Sequence, residues 1–266
     1  MFSKNSIINF AKINSLLFLF SFVQFSLFSF NNIILNYITI FSKNYSLVKI
    51  IDYNLKDKND IGKRISPTEE YPFEFIWFMA KASFTELLTH SILHYFNLIN
   101  SVSNLYDLLL FFPYSLMFEI IFDLFHYATH RYIHYNKFLY RHTHKIHHKH
   151  NYPISIIAFY QHPLDLLLTN SVPTIIAIYC LSNVSSLMYS LITVYKTYIE
   201  ICGHTGKSTF PTSSFPQFIW LPKLFNFELY TEDHDLHHTR NNCNYAKRFS
   251  LYDKIFNTYY KKSKTN

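Results

Sequence analysis

Three glycines, Gly62, Gly203 and Gly206, occur in 266 residues. So few leave no room for a glycine-rich phosphate loop or a dinucleotide fingerprint, so any reductant must come from outside the chain. Cysteine is equally scarce. Cys180, Cys202 and Cys243 form no CxxC pair and no disulfide framework, which fits a reducing, cytosol-facing location. Charge is missing where it matters most: residues 13–40, INSLLFLFSFVQFSLFSFNNIILNYITI, contain no charged side chain. A run of that length can cross a hydrocarbon core of about 30 Å. It is too long for a cleaved signal peptide and has no small-residue cleavage site. Acidic residues are absent from 131–149, which holds Arg131, Lys137, Arg141, Lys145 and Lys149.

The apolar content is high, at 49% hydrophobic and 20% aromatic residues, and it is unevenly distributed. Further apolar stretches run over 105–129, 164–181 and 184–200. The last two, separated by Ser182 and Asn183, read as a helical hairpin that dips in and returns to the same side. The stretch 73–99 carries Lys81, Glu86, His90 and His94, which suits an amphipathic or interfacial helix as well as a span. Residues 43–71 read as a charged connector, and Pro211, Pro216 and Pro222 break 205–223 into a loop. The expectation is an all-α integral membrane protein with helical hairpins and a histidine-rich helical cap. An N-terminal anchoring region (1–104) would precede a catalytic domain (105–266) containing the hairpin 164–200.

The net charge of +7 does not call for nucleic acid. Basic loops beside apolar spans stay on the cytoplasmic side, placing the histidine clusters and the C-terminus there. The final KSKTN has lysines third and fifth from the end, the pattern of a dilysine signal for the endoplasmic reticulum.

The 15 histidines all lie between His90 and His238. HRYIH places His130 and His134 four residues apart. HKIHH supplies His144, His147 and His148, and HDLHH repeats that spacing with His234, His237 and His238. Positions three and four apart share a helix face, so each cluster directs two or three imidazoles one way. Without a metal, eight packed imidazoles would leave buried donors and acceptors unpaired, at about 1–3 kcal/mol each. One structural zinc takes four ligands, so eight imply two ions. Imidazole suits iron, copper, nickel and zinc alike, but a dinuclear site beside lipid chains points to iron and oxygen acting on C–H bonds. His126, four before His130, is an alternative partner to His134. His142 and His150 read as solvated or supporting residues, and His90 and His94 as helix-packing ones. His162, in QHPLD, is a possible ligand; His204, where the hairpin returns to the polar side, is a better one.

These motifs resemble the fatty acid hydroxylase and sterol desaturase superfamily of membrane oxygenases. Asp123 with HRYIH is similar to its first box, LYRHTHKIHH to its second, QHPLD to the motif that follows and EDHDLHH to its last. NYAKRFSLYDKIFNTY, residues 244–259, is similar to its closing signature. The likeness runs from about Leu116 to Tyr259. Ala246, Tyr252 and Asn257 stand where the family usually has glycine, tryptophan and glycine. The histidine–threonine–glycine after Gly203 leans toward the sterol C4-methyl oxidase branch.

The resemblance implies two non-haem iron ions, molecular oxygen, and electrons from cytochrome b5 or a reductase. By position it implies His130, His134, His144, His147, His148, His204, His234, His237 and His238 as ligands, with His162 less central. The expected activity is hydroxylation of a lipid, sterol or fatty acyl C–H bond, with desaturation and a non-redox metal-binding role as alternatives. Asp123, Asp165, Glu200 and Asp235 are candidates to orient the ligands, and Arg131 to pair with an acid or a lipid phosphate.

Overall fold

The computed structural model describes residues 4–29, 31–61, 73–150, 154–208, 216–217 and 221–261. Among the described residues the regular structure is helical, apart from one pair of two-residue strands and an isolated bridge between Asp60 and Lys207. Helix α1 spans Lys4–Leu27 and α2 spans Ile33–Leu55. The uncharged run 13–40, expected as one span, is therefore divided. Asn32 causes the division, because its side chain caps α2 by accepting from the Leu35 amide at 2.9 Å, an alternative that asparagine offers the backbone in place of a continuing helix. The stretch 43–71, expected as a connector, is helical as far as Leu55; its last residues and the C-terminal dilysine pattern lie outside the described residues.

Helix α3 covers Phe73–Tyr95. After β1 (Ile99–Asn100), α4 runs over Tyr106–Tyr135. At 1.5 Å per residue, α4 is about 45 Å long, so its C-terminal turns reach beyond a bilayer core. One buried stripe follows its length: Phe111, Phe118 and Phe122, and then, on the same face, Asp123, His126 and His130. The stripe changes from apolar to polar where the helix leaves the bundle and enters the cap.

A single turn, α5 (Lys137–Leu139), leads into a π-helical turn at Tyr140–His144 and a 3-10 turn at His147–Lys149. Helix α6 (Pro163–Leu166) continues through a second π turn, Leu167–Ser171, into α7 (Val172–Leu181). The expected hairpin turn is present: Ser182 and Asn183 adopt φ of 50° and 52°. Strand β2 (Val184–Ser185) pairs in parallel with β1, and α8 follows over Ser186–Gly203. Ser185 caps α8 on Met188 N at 3.0 Å and donates to Asp107 at 2.7 Å, tying the hairpin tip to the start of α4.

Helices α1, α4 and the arm Pro163–Leu181 are long and apolar enough to cross a membrane. The returning arm, α8, is instead the centre of the bundle, packed against α1, α2 and α4 and buried at nearly every position from Leu187 to Ile201, as befits a helix covered on all sides. Apolar side chains such as Leu19, Phe22, Phe84, Leu88, Leu109 and Met117 remain on the outside. So much exposed apolar surface suits a lipid environment rather than water.

The cap is completed by α9 (Leu221–Leu224), α10 (Thr231–Arg240) and α11 (Leu251–Ile255). Two aspartates clamp the tail. Asp123 on α4 accepts from the consecutive amides of Lys247, Arg248 and Phe249 at 2.7, 3.0 and 3.0 Å. Asp253 accepts from the Tyr245 and Ala246 amides and the Thr258 hydroxyl. The three departures from the family pattern fit this clamp: Ala246 is buried within it, the Tyr252 hydroxyl donates to Ile120 O at 2.9 Å, and Asn257 takes a left-handed φ of 56°, which asparagine tolerates.

Candidate metal centre

Nine histidines converge in the cap as two adjoining groups. His130, His134, His144, His148 and His237 form the first, and His147, His204, His234 and His238 the second. Within each group one nitrogen per residue lies within 4.8 Å of all the others. The rings of His148 and His238, one from each group, are 4.7 Å apart.

Helical geometry explains how three stretches serve two groups. Successive residues turn by about 100°, so residues four apart nearly eclipse while adjacent ones diverge. In HKIHH, His144 and His148 enter the first group and His147 the second. In HDLHH, His234 and His238 enter the second and His237 the first. Each cluster was expected to present its imidazoles in one direction; HRYIH does so, with His130 and His134 both in the first group, whereas HKIHH and HDLHH divide theirs. The π turn and 3-10 turn around His144–His148 adjust this presentation, a local irregularity of the kind frequent at functional sites.

All nine clustered histidines except His134, which is half-buried, are buried. Burial pushes the imidazoles of His204 and His237 down to about 3. It also holds those of His147, His148, His234 and His238 well below the usual range, with neighbouring imidazoles adding to the effect. Neutral imidazole is the form that binds a metal.

Hydrogen bonds fix where the lone pairs point. His130 Nδ1 donates to Tyr245 O at 2.8 Å, His204 Nδ1 to Glu200 O at 2.8 Å and His237 Nδ1 to Cys243 O at 2.7 Å. His144 Nδ1 donates to the Asp165 carboxylate at 2.8 Å. With its proton on Nδ1, each neutral ring carries a bare lone pair on Nε2. Yet His130 Nε2 and His144 Nε2 face each other at 3.0 Å, two acceptors with no proton between them. His148 Nε2 is also 3.0 Å from His144 Nε2. In the second group, His234 and His204 Nε2 are 3.0 Å apart, and His147 and His204 Nε2 3.3 Å. Metal–imidazole bonds of about 2.1 Å set at right angles place two nitrogens about 3.0 Å apart. The donor set and its spacing fit one cation in each group.

His162 is not among them. It is exposed and its Nδ1 accepts from Leu164 N at 3.2 Å, so it caps α6 and does not join either group. His126, the alternative partner of His130, donates to Thr169 O at 2.7 Å and stays outside both groups. His142 is exposed, and His90 packs between Phe28 and Tyr189. Of the acids expected to orient ligands, Asp165 does so through its carboxylate and Glu200 through its backbone carbonyl. Asp123 serves the tail, and Asp235 is buried on α10. Arg131 donates to the Tyr127 hydroxyl at 2.8 Å.

The backbone carbonyls of Tyr245 and Cys243 escaped the sequence reading, since main-chain acceptors carry no residue signature. So did a buried charge network beneath the site. Arg248 Nε lies 2.8 Å from Glu119, and Lys247 Nζ lies 2.6 Å from Glu200. The adjacent Lys247 and Arg248 inside the aromatic-rich 244–259 segment were the available clue, because such residues are almost never buried unless paired.

A family model described as fatty acid hydroxylase matches residues 115–258. The chain is 37% identical over 75 residues to "Fatty acid hydroxylase vlmA" of Lecanicillium sp. That match covers 27% of this chain and 20% of the relative, so the chain spans a small part of the curated relative's length. No solved structure matches. The family model extends over more than half of the chain and includes all nine clustered histidines: the chain belongs to the fatty acid hydroxylase family.

Proposed function

We propose that this protein is a membrane-bound, non-haem di-iron oxygenase that hydroxylates a C–H bond of a lipid. The observation that carries the proposal is the face-to-face approach of His130 and His144 Nε2 at 3.0 Å, each with its proton committed to the far side of the ring. A metal cation held between the rings reconciles two lone pairs so placed. Nine imidazoles in groups of five and four exceed the closed tetrahedral set of one structural zinc and suit two ions that keep room for oxygen. Bound iron would supply the activation of O2 that C–H hydroxylation requires.

The chain contributes the rest. Asp165 and the carbonyls of Tyr245, Glu200 and Cys243 orient the imidazoles, and the helical bundle excludes bulk water from the lower face. Electrons come from cytochrome b5 or a reductase. The exposed basic side chains Arg131, Lys137, Arg141, Lys145 and Lys149 on the cap support a cytosolic orientation, in a membrane of the endoplasmic reticulum.

Metal analysis of the purified protein, combined with lipid profiling of cells expressing it beside a His147→Ala variant, tests this reading. About two irons per chain, reductant-dependent oxygen uptake and a lipid carrying one added oxygen are expected, all lost in the variant. A new double bond would shift the assignment to a desaturase. Stably bound zinc with no turnover after iron reconstitution would replace it with a non-redox metal-binding role.

A further inference from the structure

Four large apolar side chains of the cap face outward: Leu224 and Phe225 at the end of α9, and Ile255 and Phe256 at the end of α11, between 46% and 69% exposed. Single exposed apolar residues are ordinary, but these four belong to one surface. The Phe225 ring stacks on Phe227, and Phe227 meets Phe249 edge-on. Ser250 N donates to Phe227 O at 2.9 Å, and the Lys254 ammonium donates to Asn226 O. The two segments are therefore fastened side by side, apart from both the spanning helices and the clustered histidines.

Their height beside α4 identifies what covers them. The Tyr252 hydroxyl donates to Ile120 O at 2.9 Å, and Leu116 and Ile120 share with Phe227 and Leu251 the apolar cluster around Ile199 and Phe249. Leu116 and Ile120 lie about 15 and 21 Å along α4 from Tyr106, inside a hydrocarbon core of about 30 Å that begins there. The outer face of α4 agrees: every exposed residue from Tyr106 to Ala128 is uncharged, and the first exposed charge is Arg131. Phe256 sits higher, its ring stacked on Tyr127 at 5.2 Å, about 32 Å along the helix. The charges of the two segments fit the same placement. Lys223 is exposed and Lys254 half-buried, whereas the acid within 221–227 and 250–256, Asp253, is buried. Long basic side chains can lay their stems on apolar surface and keep their charge among headgroups.

We infer that the ends of α9 and α11 form an interfacial anchor whose partner is the lipid leaflet nearest the metal centre, with Phe225 among the acyl chains and Phe256 at the headgroup boundary. Interfacial helices bury an apolar face about 5–10 Å deep in this way. The segment leading into α11 presents the carbonyls of Cys243 and Tyr245 to His237 and His130, so the anchor sets the height of the clustered histidines above the lipid. It does so whatever reaction they support.

Spin labels placed on the full-length protein in lipid nanodiscs test the anchor. The exposed native cysteine, Cys180, is replaced by serine, and labels are introduced one at a time by Phe225→Cys and Phe256→Cys, with Leu224→Cys and Ile255→Cys giving a second reading from each segment. Met117→Cys on the outer face of α4 is the lipid reference, and Arg141→Cys on the cap is the aqueous one. Thermal melting and metal content matching the Cys180→Ser parent qualify each variant. Collisions with oxygen, which concentrates in lipid, should outnumber those with a water-soluble nickel chelate at both segments, and more strongly for Phe225→Cys than for Phe256→Cys. Nickel collisions as frequent as in Arg141→Cys, or a deeper label in Phe256→Cys than in Phe225→Cys, overturn the inference. Shielding from both reagents, with dipolar broadening between labels, would mean that a second copy of the chain covers this face and would overturn it equally.

Discussion

Asp165 shows how much a single side chain outside the ligand set can decide. Its carboxylate fixes the His144 ring so that Nε2 points at His130 and His148. Replacing an orienting carboxylate of this kind typically costs 10- to 100-fold in metal affinity or activity. Asp165→Asn should therefore retain the fold while lowering iron occupancy or lipid oxidation by about 10- to 100-fold, read by titration of the apo protein with ferrous iron. His162 provides the contrast. It is exposed and engaged only with Leu164 N, so His162→Ala should bind as much metal as the unaltered chain. A loss of one ion in that variant would place His162 back among the ligands.

At the level of elements, the cap depends on how the tail is fastened to α4. Asp123 accepts three successive amides from 247–249, and those residues bring Lys247 and Arg248 to Glu200 and Glu119. The same segment presents Tyr245 O to His130. Asp123→Ala leaves buried amides without an acceptor, each worth about 1–3 kcal/mol and not additive. A loss of about 3 kcal/mol is expected, visible as a lower midpoint of thermal unfolding in detergent. The tail's hold on His130 should loosen with it, so metal affinity should fall in the same variant. An unchanged melting curve would show that the tail is held mainly by its aromatic contacts with Tyr127.

For the molecule as a whole, the bundle and the cap are stabilised by different physics. The bundle core is apolar, built from residues such as Leu17, Leu47, Phe111, Phe118 and Leu191. The cap holds nine clustered imidazoles, most of them buried, and without a cation their lone pairs oppose one another. Removing metal with a chelator should therefore raise hydrogen exchange in 140–149 and 231–245 while leaving α1 and α4 below Asp123 protected. Uniform protection throughout would mean that the cap is self-sufficient and that the imidazoles need no ion.

Much of this organisation was legible in the residues. The spacing of HxxxH and two HxxHH clusters announced sets of converging imidazoles that could hold metal ions, because i, i+4 proximity is a local property of any helix. The hairpin turn at Ser182 and Asn183 was equally local. The break at Asn32 is not legible in the sequence, because an uncharged run gives no sign of where a cap will interrupt it. The role of His162 as a helix cap is not legible in QHPLD, because exposure and capping depend on neighbours that the motif does not contain.

The sequence by itself determined that imidazoles would be presented in sets from helical turns beside apolar spans. Only the tertiary structure decided which imidazole faces which, dividing each HxxHH between two groups and making α8 the covered centre of the bundle. Those outcomes arise from contacts between segments far apart in the chain, where burial and the pairing of polar groups outweigh any preference written into a single stretch.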